Sequence, residues 1–284
     1  MIRAALIQMR SGRDMARNFA DASGLIRSAA AGGATFIATP EMTNILEPDR
    51  PRLHALARPE AEDESVAGFS ELARQLGIWL NIGSLALKGA GEKLLNRSLL
   101  FSPKGEIVAR YDKIHLFDVD LPTGEALRES HAYEGGGAAV LAATPFGSIG
   151  LTICYDMRFP ALYCRLAQAG VALFTVPSAF TVPTGQAHWH VLLRARAIET
   201  GSFVLAAAQG GRHESGRETY GHSLIVSPWG EVLAEAGDEP GVLHAGVDIA
   251  AVAQARARIP ALANTRAEAV EILKPSAVIA TSLP

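Results

Sequence analysis

The chain has 284 residues, 49% of them hydrophobic, with 26 Lys+Arg against 29 Asp+Glu and only two cysteines. A near-balanced charge with no block of one sign gives no footprint for nucleic acid or for a membrane surface, so a small-molecule substrate fits best. No apolar stretch reaches membrane-spanning length, and Cys154 and Cys164 do not form a disulfide framework, which points to a reducing, cytoplasmic setting.

The elements alternate along the chain. Ile2–Met9 reads as a buried strand and is too short for the apolar core of a signal peptide; Ala16–Ala31 reads as a helix stopped by Gly32-Gly33. Ala34–Thr39 is a second apolar strand and delivers Pro40-Glu41 at its carboxyl end. A carboxylate there suits chemistry, because sites of open α/β sheets lie beyond the carboxyl ends of strands; a solvent-facing turn cap is the equal alternative. Leu46–Glu64 reads as a loop over a site entrance, Ser65–Leu76 as a helix ended by Gly77, and Ile78–Leu87 as a strand.

The stretch Lys88–Lys93 is a turn without the spacing of a phosphate loop. Strands Asn96–Ser102 and Glu106–Tyr111 follow around Pro103-Lys104-Gly105, and Asn96-Arg97-Ser98 matches a glycosylation acceptor only by chance. Lys113 again ends an extended segment, where a snorkelling surface lysine is the default reading of a single Lys. Asp118–Gly137 is long and irregular and reads as an ordered loop covering a site.

The stretch Leu151–Pro160 organises the rest: an apolar run, Cys154 at a sharp turn, and Pro160 opening a helix to Ala169. A helix N-terminus stabilises a thiolate, so Cys154 is expected to have a lowered pKa; taken alone, it could equally be an inert core thiol, the role assigned to Cys164. Val171–Val176 is a strand, Thr181–Gln186 a loop, and His188–Glu199 a helix. Strand Ser202–Ala208, the hairpin Ser223–Ser227 with Glu231–Glu235, strand Val242–Val247 and helix Ala250–Arg258 complete the pattern. Two comparable halves of strand–helix–strand units predict α/β layers around one core.

One base, one cation and one thiol, each just past an apolar strand, are the parts of thiol-based acyl transfer. On Pro40-Glu41, Tyr111-Asp112-Lys113 and Cys154-Tyr155-Asp156-Met157-Arg158-Phe159-Pro160, in that order, the chain resembles the nitrilase superfamily of carbon–nitrogen hydrolases, from Ala5 to about Pro260. The resemblance is greatest to the branch acting on deaminated glutathione, through Ala187-His188-Trp189, Leu193–Glu199, Ala208–His213 and Tyr220–Ser223; the neighbouring ω-amidase branch shares several of these.

The resemblance implies a four-layer αββα sandwich in a single domain spanning 1–284, with the tail 261–284 in the contacts of a homodimer or larger homo-oligomer. It implies that Glu41, Lys113 and Cys154 are catalytic, with Glu129 as an additional glutamate, Tyr155 N–H as an oxyanion donor, and neither metal nor cofactor. A partly dry pocket is expected to raise the pKa of Glu41 toward the working pH. Phe117, Phe180, Thr181 and Arg158 are candidate pocket walls by position, Arg158 being a partner for a substrate carboxylate or a structural ion-pair member. The implied substrate is a small carboxylate-bearing amide.

Rival readings fail on spacing. Gly221-His222-Ser223 lacks the second glycine of a nucleophile elbow, since Ile225 stands there. His188, His190, His213 and His222 match no zinc motif, and His188 and His190 would face different sides of a helix. A catalytically silent interaction protein on the same fold is the bland alternative.

Overall fold

The computed structural model describes residues 1–120, 124 and 126–266. The tail expected to make oligomer contacts lies mostly outside the described residues. Two sheets stack face to face, each with a parallel centre and antiparallel flanks. In the first, Ile2–Gln8, Phe36–Ala38 and Trp79–Lys88 run parallel, flanked by Gly241–Val247 on one side and by Leu94–Phe101 and Ile107–Asp112 on the other. In the second, Gly147–Leu151, Leu173–Thr175 and Phe203–Ala206 are the parallel centre. The two halves read in the sequence are therefore two sheets of one architecture.

Alternation along the strands explains the layers. Ala4 and Leu6 point between the sheets, while Ala5 and Ile7 point outward onto the helices. The outer face of the first sheet packs on helix α1 (Met15–Ala31), through Ala22, Ile26 and Ala29. A short helix, α2 (Arg50–Leu56), follows, and then helix α3 (Glu64–Leu76), which covers the same face through Val66, Phe69 and Leu72. Helices α4 (Pro160–Gln168) and α5 (Val182–Thr200) cover the second sheet through Leu162, Tyr163, Trp189 and Leu193. Each fully buried Leu, Ile or Phe contributes on the order of 2 kcal/mol, so a strand buried on both faces is held strongly. The result is the αββα sandwich, closed at its end by α6 (Ala250–Arg258).

Local signals set the helix ends. Asp14 and Asp63 accept hydrogen bonds from first-turn N–H groups of α1 and α3, and Gly77 ends α3 with a left-handed φ of 64°. Pro160 is the first residue of α4, as its fixed φ favours.

Three expectations need correction. The stretch Leu46–Glu64 is not all loop, because Asp49 caps α2 and Pro51 sits in its first turn. The expected loop Thr181–Gln186 is instead the cap and first turn of α5, with Pro183 in that turn. Cys164 is half-buried on α4 rather than a core residue. Among the described residues, no helix is long and apolar enough to cross a membrane.

Candidate active site

Three backbone segments deliver the chemistry to one rim. Glu41 follows the strand Phe36–Ala38 through Thr39-Pro40, Lys113 follows Ile107–Asp112, and Cys154 follows Gly147–Leu151. Gly83 lets them close up: a Cβ there would collide with the carbonyls of Thr39 and Pro40 and with Pro177. Pro177 in turn accepts the Cys154 N–H at 2.9 Å, so the two sheets meet at this glycine.

Cys154 sits at φ 47°, in the left-handed region, at the start of a single 3₁₀ turn, Cys154–Arg158. A non-glycine residue there costs on the order of 1–3 kcal/mol and persists only where its surroundings impose it. Asp156 supplies the constraint. Its fully buried carboxylate accepts from the Ile153 N–H at 2.8 Å, the Tyr111 hydroxyl at 2.7 Å, the His115 N–H at 3.1 Å and His115 Nδ1 at 2.7 Å. The His115 ring stacks on Phe159 at 3.6 Å. The turn that presents the thiol is thus tied to the strand end that presents Lys113.

Lys113 is buried between two carboxylates, with Nζ 2.8 Å from Glu41 Oε1 and 2.8 Å from Glu129 Oε2. Asn96 Nδ2 bridges the same two carboxylates at 3.0 Å each. Glu41 Oε2 accepts the Ala179 N–H at 2.9 Å, and Glu129 Oε2 accepts the Phe117 N–H at 2.6 Å. The Gln209 amide donates to the Glu41 carbonyl at 2.9 Å and fixes the backbone beneath the carboxylate. The buried charges are thus matched by opposite charge and by hydrogen-bond partners, which an ion cluster out of water needs.

The electrostatics reverse two expectations. Burial pushes the Cys154 thiol well up, and the facing Glu41 carboxylate adds to it; Lys113 and the Ala179 N–H oppose them and lose. A five-residue 3₁₀ turn lacks the aligned dipole on which the expected thiolate rested. Burial also pushes Glu41 up, but the charge and hydrogen bond of Lys113, with those of Asn96 and Cys154, outweigh it and hold the carboxyl below its usual range. Lys113 stays firmly protonated: burial works against its charge, but Glu129 and Glu41 prevail. The resting pair is thiol and carboxylate, not thiolate and carboxylic acid.

Glu41, Lys113, Glu129 and Cys154 face a cavity of about 710 Å³. Phe117, Tyr155, Phe180 and Thr181 line it as expected, and Tyr155 packs edge-on against Phe117. Arg158 does not line it. Its guanidinium lies over the Phe180 ring at 5.2 Å and faces His188 Nδ1 at 3.3 Å, because the 3₁₀ turn rotates it away from the thiol. Besides the Lys113 ammonium, the guanidinium groups that line the cavity are those of Arg50, Arg128 and Arg217. Asn96, Asp156 and the segment Ser215–Glu218 were not singled out in the sequence as site residues; Asn96 is fully buried, in keeping with its glycosylation pattern being chance.

A thiol, a carboxylate and an ammonium gathered at the base of one cavity on an αββα sandwich define the class: a hydrolase built for thiol-based acyl transfer. The carbon–nitrogen hydrolase family profile matches residues 3–257. The chain is 40% identical over 267 residues to the deaminated glutathione amidase of Mus musculus, covering 92% of this chain and 82% of the mouse protein. Among solved structures, the NitFhit protein of C. elegans superposes with a TM-score of 0.87 at 36% identity, covering 93% of this chain and 65% of that longer protein. A glutamate-to-glutamine mutant of the amidase from Nesterenkonia sp. AN1, carrying the Michael adduct of acrylamide on its active-site cysteine, superposes with a TM-score of 0.77 at 27% identity, covering 92% of this chain and 98% of that one. The chain belongs to the carbon–nitrogen hydrolase family and is a hydrolase of carbon–nitrogen bonds other than peptide bonds.

Proposed function

We propose that the chain hydrolyses a small carboxylate-bearing amide through a Cys154 thioester, with deaminated glutathione as the substrate. The observation that carries the chemistry is the Cys154 thiol facing Glu41 while Lys113 Nζ stands 2.8 Å from the same carboxylate. Cys154 Sγ attacks the amide carbonyl as its proton passes to Glu41, and the carbonyl π pair moves onto oxygen. An ammonium has three donors; two engage Glu41 and Glu129, leaving one for that oxyanion beside the Tyr155 N–H. Each such donor contributes on the order of 3 kcal/mol. Glu41 then protonates the leaving amine as the C–N bond breaks. Water, oriented by Glu129 and deprotonated by Glu41, attacks the thioester, and the carboxylic acid leaves with the thiol restored.

The substrate assignment rests on the amidase relatives; Arg217 and Arg50, set among Glu47 and Glu218 around the cavity, are the candidate partners of the substrate carboxylate. Turnover on deaminated glutathione, 2-oxoglutaramate and a simple aliphatic nitrile, with Cys154→Ala as control, tests it. Deaminated glutathione is expected to give the highest kcat/KM; a higher value for 2-oxoglutaramate overturns the assignment.

The proposed setting is a reducing cytoplasm, which suits a thiol nucleophile, and the proposed assembly is a homo-oligomer of single-domain chains. Val191 and Ile198, one heptad apart on α5, are exposed, and Ile198, Trp229 and Ile259 share one surface hollow. Light scattering of the full chain is expected to give a dimer or larger species that Ile198→Glu weakens.

A further inference from the structure

Outside the cavity, three metal-ligating side chains meet on the flank of α5. His190 Nε2 lies 2.8 Å from Glu235 Oε1, and His222 Nδ1 lies 2.9 Å from the same oxygen. The three ligand atoms fall within 4.8 Å of one another. None of the three residues lines the cavity, and each side chain is about a third exposed, at 33%, 31% and 37% for His190, His222 and Glu235.

The cluster is assembled from three separate elements. His190 comes from α5, His222 from the turn after strand Glu218–Tyr220, and Glu235 from the end of strand Val232–Glu235. His222 is held in a left-handed conformation at φ 55°, with its N–H on the Gly237 carbonyl at 2.8 Å and its carbonyl on the Trp189 indole N–H at 2.8 Å. Its ring stacks on Tyr220 at 4.4 Å, and the His190 ring stands edge-on to both. Both imidazoles are therefore oriented by contacts that do not involve Glu235.

The spacing suits an ion. A tetrahedral centre with bonds of about 2.0–2.1 Å separates its ligand atoms by about 3.3 Å, roughly half an ångström more than the hydrogen bonds now joining them. Small rotations of exposed side chains supply that distance. Two imidazoles and one carboxylate select borderline ions such as Zn²⁺ or Co²⁺ over Mg²⁺ and Ca²⁺, which prefer all-oxygen shells. Water completes the coordination from the solvent side.

We propose that His190, His222 and Glu235 form a binding site for a borderline divalent transition-metal ion, separate from the reacting centre. Neither spacing nor motif marks these residues in the sequence, because Glu235 reaches the histidines only through the hairpin. A bound ion ties α5, whose first turn walls the cavity, to the strands beside it, and so acts as a brace rather than as a participant in the reaction.

The test uses full-length protein carrying Cys154→Ser and Cys164→Ser, which removes both competing thiols, titrated with Zn²⁺ in a calorimeter. One ion per chain is expected, with affinity reduced at least ~10-fold by adding either His190→Gln or Glu235→Gln. Because a ligand that binds only the folded state stabilises it, Tm is expected to rise by about 5 °C at ~100 times Kd, and each added variant should cut that rise to about half or less. Absence of binding, or binding that both added variants leave unchanged, overturns the proposal.

Discussion

Two buried carboxylate clusters lie within a few residues of each other in this protein, and they are built on opposite principles. Glu41 is compensated by a neighbouring cation, Lys113, and opens onto the cavity. Asp156 has no lysine or arginine partner among the described residues: it is held by four hydrogen bonds from Tyr111, His115 and the Ile153 N–H and does not face the cavity. A carboxylate whose donors are all committed holds a shape, whereas one balanced by an adjacent charge can take up and release a proton beside a substrate. The first arrangement positions the strained Cys154 turn, and the second supplies the proposed acid–base group that faces it.

Variants that remove the reacting groups should break this contrast most sharply. Cys154→Ala is expected to reduce kcat by at least about 10⁴-fold while leaving Tm within a degree or two, because the lost thiol is small and in contact with the cavity. Lys113→Met should cost at least about 10³-fold in kcat and also destabilise the protein by about 3–5 kcal/mol, since it strands two buried carboxylates. Thermal unfolding beside steady-state kinetics checks both variants, and an unchanged Tm for Lys113→Met would contradict the compensated-charge account.

Asp156→Asn probes the other cluster. It keeps the shape but turns an acceptor into a donor facing donors, so a loss of about 1–3 kcal/mol is expected, with a fall in kcat rather than a rise in KM. Arg217→Ala should act the other way, raising KM for an anionic amide about tenfold with kcat little changed; an equal effect on a neutral amide would remove Arg217 from substrate recognition.

The smallest expected effect is that of pH. In the proposed mechanism turnover needs Glu41 deprotonated and Lys113 protonated. The Glu41 pKa is depressed and that of Lys113 is raised, so kcat/KM should be flat across the neutral range, with its acid limb below the ordinary carboxyl range and its basic limb above the ordinary amine range. Stability follows the same signs. The Glu41 contribution is present above the unfolded carboxyl pKa and lost as pH falls through the folded value; that of Lys113 is present below the unfolded amine pKa and lost as pH rises through the folded one. An acid limb near neutrality would show that the resting cluster holds its proton on Glu41.

The sequence by itself determined the layers and the candidates for the reacting groups. Buried strands have to be apolar on both faces, so the polar residues just beyond Ala38, Asp112 and Leu151 stand out, and Glu41, Lys113 and Cys154 were legible for that reason. Only the tertiary structure decided how those groups are tuned. Asn96 lies inside a strand, where nothing local separates a bridge between two carboxylates from an ordinary polar position. Asp156 was visible within the cysteine motif, but its four donors come from segments more than forty residues away as well as from beside it. Arg158 pointed at the substrate by position and was turned onto Phe180 by one 3₁₀ turn. The sign of the Cys154 shift depended on burial and on a carboxylate more than a hundred residues earlier in the chain. Hydrophobic pattern is a property of neighbours in sequence; the pKa of a buried group is a property of neighbours in space.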